Sequence, residues 1–210
     1  MNKIFLYLYP IEEYSKIFYL GNEYYDRNNI KRPFDLLNKT IQKRYRDNGF
    51  KVVFVLYPDK EIYGVLPQHR DRIIYTDIPF TKASGDNSDG SKKSEDEIVY
   101  PNEQMLINQL GDIEELVIGG YHAQDCVKRV GEVALANGIN TIVDLDMTDL
   151  FFNLYRDEDY FNIESYSTER FKNHILSKMR RYGDDFAERM FYSNYQSDVY
   201  GFGELNRKYK

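Results

Sequence analysis

The sequence predicts an α/β domain, a three-layer sandwich with a mainly parallel central sheet and helices on both faces. Three observations carry this. The runs "KIFLYLYP" (3–10) and "KVVFVLYP" (51–58) are short, apolar throughout and stopped by proline, as strands buried on both faces are. Between them, "RPFDLLNKTIQKRYRDNGF" repeats apolar residues at helical spacing (Phe34, Leu37, Ile41, Tyr45), and Asn48-Gly49 closes the helix. Strand, helix, strand in that order implies parallel pairing, because parallel neighbours need a crossover connection. At 210 residues the chain can bury one sizeable core without disulfide or metal staples.

The remaining elements follow in order. "DRIIYTDIPF" (71–80) supplies a third, shorter strand, centred on 72–76. The stretch "TKASGDNSDGSKKSEDE" (81–97) is rich in Ser, Asp, Gly and Lys and has no apolar anchor, so a mobile surface loop, able to act as a lid, is expected there. "NEQMLINQLG" is a compact helix and 115–119 the fourth strand. A helix over 124–137 buries Val127, Val130, Val133 and Ala134 and ends at Gly138. The fifth strand is 140–146, and "YSTERFKNHILSKMRRYG" is a further helix. No internal repeat and no second core emerge. Residues 1–190 therefore form one domain, with a Tyr-rich C-terminal extension at 191–210.

Composition narrows the function. The net charge of −6 argues against broad phosphate-backbone binding, which needs a basic face. Aromatics make up 16 % of the chain, with 20 Tyr and 13 Phe, and they are spread through every segment as packing residues are. A single cysteine rules out an internal disulfide. The apolar start of the chain is too short for a membrane span and has no small-residue cleavage site. A cytoplasmic protein that binds neither nucleic acid nor membrane is expected.

The one cysteine, Cys126, falls just past the fourth strand, near the first turn of the next helix. Ligands of open parallel sheets bind beyond the carboxyl ends of the strands. Helix amides and the helix dipole there favour an anion, so a thiol becomes partly anionic if solvent reaches it, and the same amides can hold an oxyanion. The bland alternative is a small buried hydrophobe.

From Gly120 to Asp146 the chain resembles the isochorismatase-like cysteine hydrolases, which include nicotinamidases and N-carbamoyl amidohydrolases. Gly120, Cys126, Val127, Ala134, Gly138 and Asp146 stand at that family's spacings. Weaker similarity extends to either side, over about half the chain. The resemblance implies a Rossmann-like sandwich and a Cys126 nucleophile cleaving an amide-like C–N bond through a thioester. It also implies a cis peptide at His122–Ala123, an Asp base ending the first strand and a Lys after the third. Here the base position falls on or beside Tyr9. The lysine position falls on Tyr75, Thr76 or Asp77, with Lys82 several residues late.

Other groups are candidates for these roles. Asp77, Asp144 and Asp146 lie at or near carboxyl ends of strands, and Asp77 is the candidate substitute base. Asp125 is a poor partner for the thiol, since neighbouring helix residues point about 100° apart. His122 pairs with Cys126 chemically or simply lines the pocket. His69, His122 and His174 are too far apart in sequence for the zinc site of the nicotinamidase branch, so neither metal nor cofactor is expected.

The expected pocket is thus lined by Tyr9, Tyr75, Tyr121, His122, Ala123, Cys126 and Asp146. Three functions follow: a remodelled, catalytically degenerate site binding a small ligand or partner; an active cysteine hydrolase with a relocated base; or an assembly protein using the 191–210 tail. A homo-oligomer is expected, since members of the family pair through helices beside the site.

Overall fold

The computed structural model describes residues 2–15, 31–144, 147 and 148. Five strands, β1 (Lys3–Leu8), β2 (Lys51–Leu56), β3 (Arg72–Tyr75), β4 (Glu115–Gly120) and β5 (Asn140–Val143), form one sheet in the order β3-β2-β1-β4-β5. Every pairing is parallel. The expected α/β sandwich with a parallel sheet is therefore the observed architecture.

Alternation along β1 explains the three layers. Ile4, Leu6 and Leu8 face helices α3 (Glu103–Leu110) and α4 (Lys128–Ala136), packing with Leu106, Leu110, Val130 and Ala134. Phe5 and Tyr7 face the opposite way, against Leu37, Ile41 and Tyr45. Those last three belong to helix α1 (Lys31–Thr40) and the π-helical turn Ile41–Tyr45 that continues it. Phe5 and Tyr45 stack with centroids 3.7 Å apart. Each such buried side chain contributes about 1.5–3 kcal/mol through removal from water, enough to fix which face each strand residue takes.

Several boundaries differ from expectation. The helix after β4 begins as a π-helical turn, Ala123–Val127, and becomes α-helical only at Lys128. Gly138 ends it with φ of 77°, as its sequence position implies. The fifth strand spans Asn140–Val143, and Asp144 follows it with its N–H still donating to the Ile118 carbonyl of β4 (2.9 Å) while its carboxylate pairs with the buried Arg44. Segment 81–97 is not featureless. Helix α2 (Phe80–Ala83) opens it, Asp86 bridges Lys92, and Glu95–Glu97 form a 3-10 turn. The Lys93 ammonium supplies the physical reason, donating to the carbonyls of Thr81 and of Ser84 (3.0 Å) where α2 ends. The expected helix around His174 and the 191–210 extension lie outside the described residues.

Candidate functional site

The strand order reverses beside β1, with β2 and β3 on one side and β4 and β5 on the other. Connections leaving in opposite directions open a crevice beyond the strand ends. Register aligns those ends, since Leu8 pairs with Val55 on one side and Gly120 on the other. The close approach of β4 to β1 depends on Gly120. A Cβ there would sit 2.9 Å from the Leu8 Cβ and 3.2 Å from Val127 Cγ2, and φ is 155°.

Tyr9 follows β1 directly. It is the non-glycine residue with positive φ (56°) among those described, a conformation that costs about 1–3 kcal/mol and collects at functional sites. Its N–H donates to the Val55 carbonyl (2.9 Å), and its carbonyl accepts from Ile11 N–H (2.8 Å) across Pro10. Tyr57 follows β2 in the same way. Leu-Tyr-Pro ends both strands, and the parallel register stacks the two tyrosine rings 4.6 Å apart and 19° from parallel. Tyr14, on a helical turn at 12–15, covers them. Its hydroxyl meets that of Tyr57 at 3.2 Å, and its ring stands edge-on to His122 at 5.1 Å.

Cys126 faces this aromatic group from the π turn and is half-buried. Its Sγ donates to the His122 carbonyl at 3.6 Å, so that bond needs the proton on sulfur. The same carbonyl accepts the N–H groups of Asp125 (3.3 Å) and Val127 (3.2 Å), which ties the turn together. Burial lowers the pKa of the His122 imidazole, and the Asp125 carboxylate opposes that shift. Burial raises the phenol pKa of Tyr9, Tyr14 and Tyr57. All three hydroxyls are therefore neutral at physiological pH.

The charged wall is largely self-neutralised. Arg129 Nε donates to Glu103 Oε1 at 2.6 Å, and its guanidinium lies 3.7 Å over the Tyr100 ring. Asp125 stays exposed at the rim. The crevice encloses about 30 Å³, room for about two or three waters.

Of the residues singled out by sequence, the crevice brings together Tyr9, His122 and Cys126. Tyr121 points to the other face of the sheet, fully buried, with its hydroxyl 2.6 Å from Ser15 Oγ. Tyr75 lies on the edge strand, 46 % exposed, and lines nothing here. Asp77 accepts from the Asn102 N–H (2.9 Å), bracing the start of α3, and is away from the thiol's crevice. Lys82 is exposed. Asp144 is committed to Arg44 and Tyr45 on the α1 side. The backbone of Ala123 opens the π turn, and among the described residues no peptide is cis, so the His122–Ala123 bond is trans. Asp146 lies outside the described residues. No group of three His, Cys, Asp or Glu is placed to hold a metal among those described.

Sequence reasoning missed Tyr14, Tyr57, Tyr100, Glu103 and Arg129 as lining residues. The repeated Leu-Tyr-Pro could have revealed Tyr57; the others reach the crevice only through tertiary packing.

No protein-family model matches the sequence, and no curated protein matches it. Solved structures similar to it include the following three. N-carbamoylsarcosine amidase from Thermoplasma acidophilum is 18 % identical, with TM-score 0.42, over 77 % of this chain and 91 % of the other. A MAR1 ribonuclease from Leishmania major is 11 % identical, with TM-score 0.43, over 98 % and 90 %. The MAR1 ribonuclease from Caenorhabditis elegans is 12 % identical, with TM-score 0.42, over 98 % and 88 %.

Proposed function

We propose that this chain is a divergent isochorismatase-like protein whose crevice around Cys126 binds a small ligand without hydrolysing it. The spacing from Gly120 through Cys126 to Gly138 supports the family, and the crevice at the strand reversal supports a ligand site.

One observation carries the loss of catalysis. Tyr9, stacked on Tyr57, occupies the end of β1 where the resemblance places a carboxylate base. A phenol kept neutral by burial takes no proton from a thiol. The Cys126 proton is directed to a backbone carbonyl instead, and Arg129 is held by Glu103 rather than left to meet an oxyanion. Asp77, the candidate substitute base, braces the start of α3. The hydrolase reading keeps one favourable observation, the neutral imidazole of His122 in the same crevice as the thiol.

Ammonia release from nicotinamide and from N-carbamoyl amino acids separates the two. We expect no release above the Cys126→Ser variant, together with a rise in melting temperature when a bound small molecule is found by thermal-shift screening. Release by the wild type that Cys126→Ser abolishes overturns the binding reading in favour of the hydrolase.

A further inference from the structure

We propose that the crevice receives the ammonium head of an unbranched primary amine, held by the Tyr9 hydroxyl and the Asp125 carboxylate within walls of tyrosine. The inference rests on the reading of the crevice as a ligand site and names the class of ligand.

A missing partner points to it first. Tyr9 is 3 % exposed, and its hydroxyl makes no hydrogen bond among the described residues. A buried polar group left without a partner is costly, so it marks a place where something else binds. The surroundings of this phenol are those of the crevice: after burial itself, the charges of Cys126, Tyr14, Glu103 and Asp125 hold its pKa up, and all four residues line the crevice. The hydroxyl is therefore aimed among those groups, where a bound molecule can satisfy it.

The sign of the local field says what kind of molecule. Two carboxylates, Glu103 and Asp125, line the crevice with one guanidinium, Arg129, and burial keeps the His122 imidazole neutral. Glu103 and the Tyr100 ring already claim Arg129. Asp125 acts on His122 and Arg129 through space but forms no ion pair with a described side chain. An anion would meet that uncompensated carboxylate, whereas a cation is paired by it. The walls add to the preference, since tyrosine rings attract cations through their quadrupole. The chain's own cations show this on two flanks. Arg129 lies 3.7 Å over Tyr100, and Lys60 lies 4.6 Å over Phe80, whose ring packs against Tyr14 and Tyr57.

Space selects the shape of the head. About 30 Å³ admits about two or three non-hydrogen atoms, so a methylene-ammonium end enters and a quaternary ammonium does not. The rest of the molecule leaves past Asp125, which is exposed at the rim. A primary ammonium brings three N–H donors. The Tyr9 hydroxyl, the Asp125 carboxylate and the Tyr14–Tyr57 hydroxyl pair are the acceptors that line its path.

The test titrates the full chain with n-butylammonium, tetramethylammonium, propionamide and propionate at matched ionic strength and neutral pH. Two readouts are followed, the rate at which iodoacetamide alkylates Cys126 and the melting temperature. Butylammonium should slow alkylation at least about threefold at saturation and raise the melting temperature, and the other three should do neither. Asp125→Asn, an exposed position, should raise the half-protecting butylammonium concentration about twofold to fivefold. Tyr9→Phe, which keeps the ring, should raise it about tenfold. Equal protection by tetramethylammonium overturns the assignment, as does a butylammonium effect that neither variant weakens. Protection by propionamide or propionate without butylammonium overturns the amine and leaves the ligand-binding reading standing. No effect from any of the four also overturns the amine. Failure of the ligand-binding reading appears separately, as ammonia release that Cys126→Ser abolishes.

Discussion

Arg44 Nη1 donates to Asp144 Oδ2 at 2.7 Å, joining the π turn after α1 to the residue that follows β5, with both side chains nearly or wholly out of solvent. The Tyr45 hydroxyl donates to the same carboxylate oxygen. Removing one partner strands a buried charge, which typically costs about 3–5 kcal/mol, whereas replacing both with apolar groups is often neutral. Arg44→Met and Asp144→Asn are each expected to lower the urea midpoint sharply. The double variant Arg44→Met/Asp144→Leu should recover most of the loss. Additive losses in the double variant would show that the pair does not act as a unit.

Gly120 should tolerate no side chain. Gly120→Ala places a methyl against Leu8 and Val127 at a backbone angle that L residues avoid, and overpacking of this kind costs about 1–3 kcal/mol. The displaced β1–β4 contact also shifts Tyr9, so the altered environment should be visible in near-ultraviolet circular dichroism. An unchanged melting temperature and spectrum would refute the packing role.

The burial that lowers the His122 pKa has a consequence for acid stability. Below the ordinary value of 6.5 the unfolded chain gains a proton that the folded chain resists. Stability is therefore full above about 6.5 and declines as pH falls from there toward the lowered folded pKa. His122→Gln should flatten the fall in melting temperature between about pH 6.5 and 5. A variant as acid-sensitive as the wild type over that window argues for another group.

Lys93 should govern order in segment 81–97. Its ammonium gathers the carbonyls at the end of α2, so Lys93→Met is expected to speed proteolysis and amide exchange within that segment. Global stability should change little, because the contacts are exposed. A fall of the whole chain's melting temperature by several degrees would mean the segment is part of the core.

Self-association is what the family resemblance implies. Light scattering should report a mass above the 25.0 kDa of one chain at working concentrations. A strictly monomeric species across a tenfold dilution series would sink it.

Sequence alone determined the parallel α/β class, because apolar runs stopped by proline and a helical period between them leave few other ways to bury those side chains. It also placed Cys126 past the end of β4 and Tyr9 past the end of β1, since both follow from where strands stop. Tertiary structure decided what those residues meet. That Tyr9 would stack on Tyr57 depends on the register of β1 against β2. That Asp144 would be spent on Arg44, and Asp77 on the start of α3, depends on a side chain 100 residues away and a backbone N–H 25 residues away along the chain. Tyr121 is the sharpest case. It stands next to His122 in sequence, yet alternation along the strand end sends it to the opposite face. Local pattern encodes which backbone each segment adopts, whereas the partners of a polar side chain are set by distant contacts that no short window contains.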